Sequence, residues 1–302
     1  MSINIIIRFF VLHVISGMQM TARKDSILFS WMRCTMEIST IIGLILGLVA
    51  LLVGMFLKGA PLVNLVNNPA AYVIIFVGTF ASLFVAFPMS EMKKFPKLIS
   101  LLFVKPKRVS KQELISQFTE WATITRREGL LALESKIDEI DDDFLRNGMR
   151  MIIDGNDQDF VRDVLLEDIA ATEERHKAGA LIFSQAGMYA PTLGVLGAVI
   201  GLIAALADMS NMGKLAHAIS AAFIATLLGI FTGYVLWHPI SNKLKRLSKA
   251  EIELRLMMVE GLLSIQSGVS TIAISQKLSV FLTPSERADM NDEEAGSGGQ
   301  KD

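Results

Sequence analysis

The residues able to do chemistry in this 302-residue chain are few, and their spacing fails the common sites. Glu173 and His176 stand three apart, the step used by di-iron carboxylate proteins. The pair occurs once, where such a centre needs two copies and further carboxylates. Asp154 to Leu165 opens like a calcium loop, but its sixth position is Asp159 instead of glycine and its twelfth is Leu165 instead of glutamate. Gly194, Gly197 and Gly201 follow no strand and lack dinucleotide-binding spacing. Four histidines and one cysteine, Cys34, leave little for a zinc site and exclude an internal disulfide. No nucleophile stands beside a base. The expectation is a protein that is not an enzyme and uses neither metal nor cofactor.

The positive signal is a lack of charge. No Asp, Glu, Lys or Arg lies between Ala178 and Ala207, or between Leu215 and Asn242. Small residues recur on both stretches at helical spacing. Ala221, Ala225, Gly229 and Gly233 stand four apart, as do Gly194 and Ala198, and Gly197 and Gly201. Lipid supplies no hydrophobic drive between helices, so association there relies on close packing at such faces. His217 and His238 sit near the two ends of the second stretch and read as structural or interfacial residues.

The elements that must position these residues follow from hydropathy. The chain is 52% hydrophobic, with a formal net charge of −1. Its apolar residues gather in uncharged runs, and about 20 such residues cross a bilayer. The reading is an all-α polytopic membrane protein with four transmembrane helices and a helical cytoplasmic domain between spans two and three. Residues 1–35 contain Ile5 to Met18, apolar but interrupted by Arg8 and too short for a span. They are either an interfacial segment or an N-terminal extension outside the functional fold, with Met36 a natural start. Residues 36–90 hold spans one and two, from Ile38 to Leu57 and from about Ala70 to Met89, the second beginning at Asn68-Pro69.

Lys93, Lys94, Lys97, Lys105, Lys107, Arg108 and Lys111 crowd the exit of span two, and Lys243, Lys245, Arg246 and Lys249 the exit of span four. The two intervening loops each carry one Lys, so the positive-inside rule places both ends of the core in the cytoplasm. The basic clusters mark topology and contact with anionic membrane lipid, not nucleic-acid binding. Residues 91–180 form the cytoplasmic domain, where Val161, Val164, Leu165 and Ile169 repeat at helix spacing and Gly129, Gly148 and Gly155 read as punctuation. The acidic run Asp138 to Asp143 reads as a solvated face. Residues 181–240 hold spans three and four, and a helix continues from there through Leu244 and Leu256 to about Gln266, within a C-terminal segment 241–288. Residues 289–302 have nothing to bury and are expected to be disordered. Tyr234 and Trp237 fall where an aromatic belt belongs. Pro191 and Pro239 read as helix ends or packed kinks, or as hinges between membrane and cytoplasmic parts.

Four stretches resemble the MotA family of flagellar stator proteins. They are RREGLLALE (Arg126 to Glu134), EERHKAGA (Glu173 to Ala180), the run from Ala186 to Leu206, and the run from His217 to Arg246. The likeness covers roughly Met36 to Ala288 and is greatest to members from Gram-positive bacilli. It implies a stator subunit in the bacterial inner (cytoplasmic) membrane. Five copies would surround two copies of MotB, whose aspartate carries the proton, and ion flow would become rotation through the rotor protein FliG. Spans three and four hold no carboxylate of their own, which agrees with an ionisable group supplied from elsewhere. By the same resemblance, Arg126 and Glu134 contact the rotor, Pro191 and Pro239 couple protonation to movement, and Ala198, Thr226 and Ala225 line the ion path. Sodium-driven relatives tend to carry Thr at Ala198 and Thr-Thr at Ala225-Thr226; fewer hydroxyls point to protons. Two alternatives remain: a TolQ/ExbB-type energiser, which typically has one span before its cytoplasmic domain, and a sodium-driven stator.

Overall fold

The computed structural model describes residues 38–103, 109–207 and 212–290. Residues 1–35 and the tail from 291 onward, with the disorder expected there, lie outside the described residues. Among the described residues every regular element is helical, and four helices are long and apolar enough to cross a membrane, as expected. Helix α1 (Ile38–Leu57) carries no charged residue. In lipid such a segment must pair its backbone within itself, which a helix does. Helix α2 (Pro69–Ala86) starts where predicted: Pro69 occupies its first turn, and the Asn68 side chain accepts from the Ala71 N–H at 3.3 Å. Its second turn widens into a π-helix over Val73–Val77. Phe87 and Pro88 are extended and end it. Two short helices, Met89–Met92 and Phe95–Ser100, then turn the chain back, with Phe95 stacked on Phe183 at 4.9 Å.

Helix α3 (Lys111–Glu128) opens with a complete capping box between Ser110 and Glu113. The Ser110 backbone N–H, and secondly its hydroxyl, hold the Glu113 carboxyl below its usual range. The stability this contributes is present above the ordinary carboxylate pKa and fades as pH falls through the lowered one. A 3₁₀ segment (Leu130–Glu139) follows the corner at Gly129, whose φ is +87°. Helix α4 (Asp143–Ile153) is capped by Asp142. These elements bury Phe118, Trp121, Leu133, Leu145 and Met149 in one core with Val161, Leu165, Met257 and Leu262. Gly155 also turns the chain at positive φ. Gly148 does not: it lies inside α4, where an added Cβ would collide with Leu262 Cδ1, so it is a packing residue and not punctuation.

Two rods join this lobe to the membrane. Helix α5 (Gln158–Leu206) has 49 residues and α6 (Met212–Gln266) has 55, lengths of about 74 and 83 Å at 1.5 Å per residue. Pro191 sits within α5 and Pro239 within α6, just past a π-turn at Thr232–Trp237; neither ends a helix. Trp237 is not in an aromatic belt. It is buried against Phe80, Phe95 and Phe183, whereas Tyr234 is exposed. Helix α7 (Thr271–Ser279) closes the lobe against α3.

The membrane halves of α5 and α6 pack antiparallel along the small residues. A Cβ on Gly229 would stand 2.7 Å from the Ala190 carbonyl oxygen and 2.9 Å from Gly194 Cα; one on Gly194 would stand 2.8 Å from the Ala225 carbonyl oxygen. Backbone meets backbone there, leaving no side chain able to yield. The small-residue faces are thus used, at this crossing, inside one chain. The loop before α2 is tied to the same helix, with Asn68 Nδ2 donating to the Ala221 carbonyl at 2.9 Å and Asn64 Nδ2 to Ser220 Oγ at 3.1 Å.

Two substitutions test this packing. Gly229→Ala forces the rods apart and should cost about 1–3 kcal/mol, lowering the midpoint of thermal unfolding in detergent. Gly201→Ala, whose nearest neighbour beyond its own helix is 3.9 Å away, should leave that midpoint unchanged. In the lobe, Gly261→Ala places a methyl 2.6 Å from the fully buried Phe118 ring. It should destabilise by a similar ~1–3 kcal/mol, read as faster limited proteolysis of the lobe.

Candidate functional site

The site divides into a seam in the membrane and a tip on the lobe. Along the seam, Ala225 is 3% exposed and faces Gly197, whose added Cβ would lie 3.6 Å from the Ala225 methyl. Ala198 and Thr226 are each one residue further on and half-buried. On two antiparallel right-handed helices, one step of about 100° carries both residues round to the same side. Ala198 and Thr226 therefore flank the seam together, while Ala225 fills it. The Thr226 hydroxyl donates to the Ala222 carbonyl at 3.2 Å, which leaves its oxygen able to accept from outside.

Further along, the Pro191 ring presses on Gly233, where an added Cβ would meet Pro191 Cγ at 2.7 Å and the Gly187 carbonyl oxygen at 2.9 Å. That carbonyl would bond to the amide of residue 191 in a regular helix, and proline has none to offer. The His238 ring lies over Gly187, 2.8 Å from where a Cβ would sit, and 5.2 Å from the Tyr234 ring centre. Pro191 is thus locked in the seam, whereas Pro239 is exposed. The structure does not bring the two prolines together.

Electrostatically the membrane part is bare. None of Ile38–Leu57, Pro69–Ala86, Ala178–Leu206 and Leu215–Ser241 contains Asp, Glu, Lys or Arg. Thr79 Oγ1 and Trp237 Nε1 are buried and make no hydrogen bond among the described residues. No single residue spacing announced them; the burial of Trp237 follows from the rings of Phe80, Phe95 and Phe183 around it. Glu173, whose spacing to His176 was set aside as a metal pair, bonds Lys177 at 2.9 Å, and His176 Nδ1 lies 3.1 Å from Ser248 Oγ. Among the described residues no three His, Cys, Asp or Glu side chains converge.

On the lobe, Arg126 is exposed in the last turn of α3, and Glu134 is exposed on the 3₁₀ segment. Gly129 makes the corner between them, and Leu133 and Ile137 pin the segment down from inside. Leu131 is 71% exposed at the same tip. The arrangement offers both signs of charge and one apolar side chain to another protein.

Known proteins share this arrangement. Residues 136–257 match the model of the MotA/TolQ/ExbB proton channel family. Motility protein A of Bacillus subtilis is 54% identical over 266 residues, which span 88% of this chain and 98% of that one. Motility protein A of Helicobacter pylori is 34% identical over 83% of this chain and 97% of its own length. The fold superposes on the flagellar MotAB stator complex from Bacillus subtilis with a TM-score of 0.79 at 55% identity, covering 82% of this chain and 97% of that chain. It superposes on MotAB of C. jejuni with a TM-score of 0.78 at 32% identity and the same coverage. The likeness read from Arg126–Glu134 and the two glycine-bearing spans is one of descent, and the chain belongs to the MotA/TolQ/ExbB proton channel family.

Proposed function

We propose that this chain is the stator subunit of a bacterial flagellar motor, forming with MotB a proton channel whose ion flow turns the rotor through FliG. The observation that carries the reading is the charge-free seam. Four spans without an Asp, Glu, Lys or Arg cannot hold a proton at mid-membrane, so the carboxylate must arrive on a partner helix. Several copies of the chain surround a MotB dimer, in the number the family resemblance gives, five. Their small-residue helices line the inside, and both ends of the core stand in the cytoplasm of the inner membrane.

The same side of the seam carries Ala198 and Thr226, and it is this side that we place against the partner's carboxylate. Ala225 acts from behind by keeping the two rods close. A proton arriving from outside neutralises the carboxylate and removes the cost of holding a charge against apolar wall. Each charge that crosses gains about 2.3 kcal/mol per 100 mV, so many small steps are taken and no single contact can be strong. Pro191, wedged on Gly233, sits where a change in the partner's fit would reach the rods. Arg126 and Glu134 deliver the movement to FliG.

Swimming speed tests this in a strain lacking its own stator subunit, complemented by this gene with its cognate MotB. Speed should be indifferent to sodium at fixed pH and abolished by a protonophore. Speed that follows sodium would keep the stator and overturn the proton; no rescue by protein that reaches the membrane would return the energiser reading. Charge reversal at both tip positions, Arg126→Glu with Glu134→Lys, should abolish swimming without lowering the amount of protein in the membrane. Undiminished torque in that variant would remove the tip from the rotor contact.

A further inference from the structure

The membrane segments of α5 and α6 run unbroken into the lobe, and a ladder of polar contacts joins them there. Ser241 Oγ donates to the Ala180 carbonyl oxygen at 2.8 Å, wholly buried. His176 Nδ1 and Ser248 Oγ lie 3.1 Å apart. Arg255 donates to Thr172 at 3.2 Å and to Asp168 at 3.3 Å, with its guanidinium carbon 5.1 Å from the centre of the Phe144 ring. Ser241, Ser248 and Arg255 are spaced by seven. Seven residues is the period at which a helix returns to the same line along a supercoiled neighbour. On α5 the inward residues recur at steps of four and three, from Leu165 through Ile169, Thr172, His176 and Gly179 to Phe183.

An apolar seam of that period accepts a slip of one heptad; a seam with polar members does not. A slip would set Arg255 against Leu165 or Gly179 and Ser248 against Ile169 or Phe183, and polar groups that lose their partners on a part-buried seam are costly. We propose that Ser241, Ser248 and Arg255 with their α5 partners are positioning residues forming a register lock. The lock makes spans three and four and the lobe turn as one body, so movement at the seam reaches Arg126 and Glu134 without sliding or bending at the prolines. The proposal rests on the stator reading, because what it transmits is that reading's rotation.

Cross-linking tests it in the full chain with MotB, in swimming cells, in a Cys34→Ser background. His176→Cys with Ser248→Cys places two thiols across the ladder. Oxidation by copper phenanthroline should link them, and the linked cells should swim as fast as the same cells before oxidation. Ile169→Cys with Ser248→Cys lies one heptad off the register and should not link, whether or not the motor runs. Loss of swimming on oxidation, restored by dithiothreitol, would overturn the lock. So would an off-register link that forms only in energised cells. If the unsubstituted chain fails to drive swimming, the stator reading falls instead, and the linking pattern of the two pairs in the membrane still decides the register.

Discussion

Everything in the membrane half depends on one close approach, the crossing of α5 and α6 at Gly194 and Gly229. A Cβ on either glycine would stand under 3 Å from main-chain atoms of the other helix. Such an approach is available only where both sequences give up their side chains at the same level, and in lipid it is the main source of attraction between helices. It fixes which side of each rod faces inward. That choice puts Ala225 inside, and Ala198 and Thr226 together at one flank. The bare electrostatics follow from the same economy: helices this close leave no room for a carboxylate and its solvation.

The lobe answers a different constraint. It presents two exposed charged residues, Arg126 and Glu134, beyond the ends of two long helices. It does so with a conventional core, in which Phe118 lies over Gly261 and Leu133 and Ile137 fasten the 3₁₀ segment. The helices that carry ion-linked movement are those that supply Val161, Leu165, Met257 and Leu262 to that core. Along α5 and α6 the helix runs on from membrane to lobe, so the two halves share their framework.

Much of this was legible in the sequence because it is local or periodic. Uncharged runs gave the spans, Asn68-Pro69 gave a helix start, and the four-residue spacing of Ala221 to Gly233 gave the contact face. What was not legible depends on which partner a face meets. Gly148 looked like a turn because glycine is rare inside helices; its role is to admit Leu262, over a hundred residues away. Trp237 looked like a membrane-border residue, yet Phe80, Phe95 and Phe183 enclose it. The prolines suggested breaks, and the helices run through both: around Pro191 the neighbouring helix α6 supplies Gly233, and ahead of Pro239 a π-turn alters the bonding pattern. The heptad of Ser241, Ser248 and Arg255 was present in the sequence, but it acquires meaning only beside His176 and Thr172.

The π-turn at Thr232–Trp237 separates two repeats of different period on one helix. Before it, small residues recur every four; after it, the lobe seam recurs every seven. A π-turn carries one residue more than the α-turn it replaces, so it acts as a phase shifter between the two patterns. Removing a single residue there would restore regular helix and rotate everything downstream by about 100°, facing Arg255 away from Thr172 while each half stayed well formed. A substitution on either side of this segment acts on one contact, whereas a change in its length shifts every contact beyond it unless a compensating residue is gained or lost before Ser241.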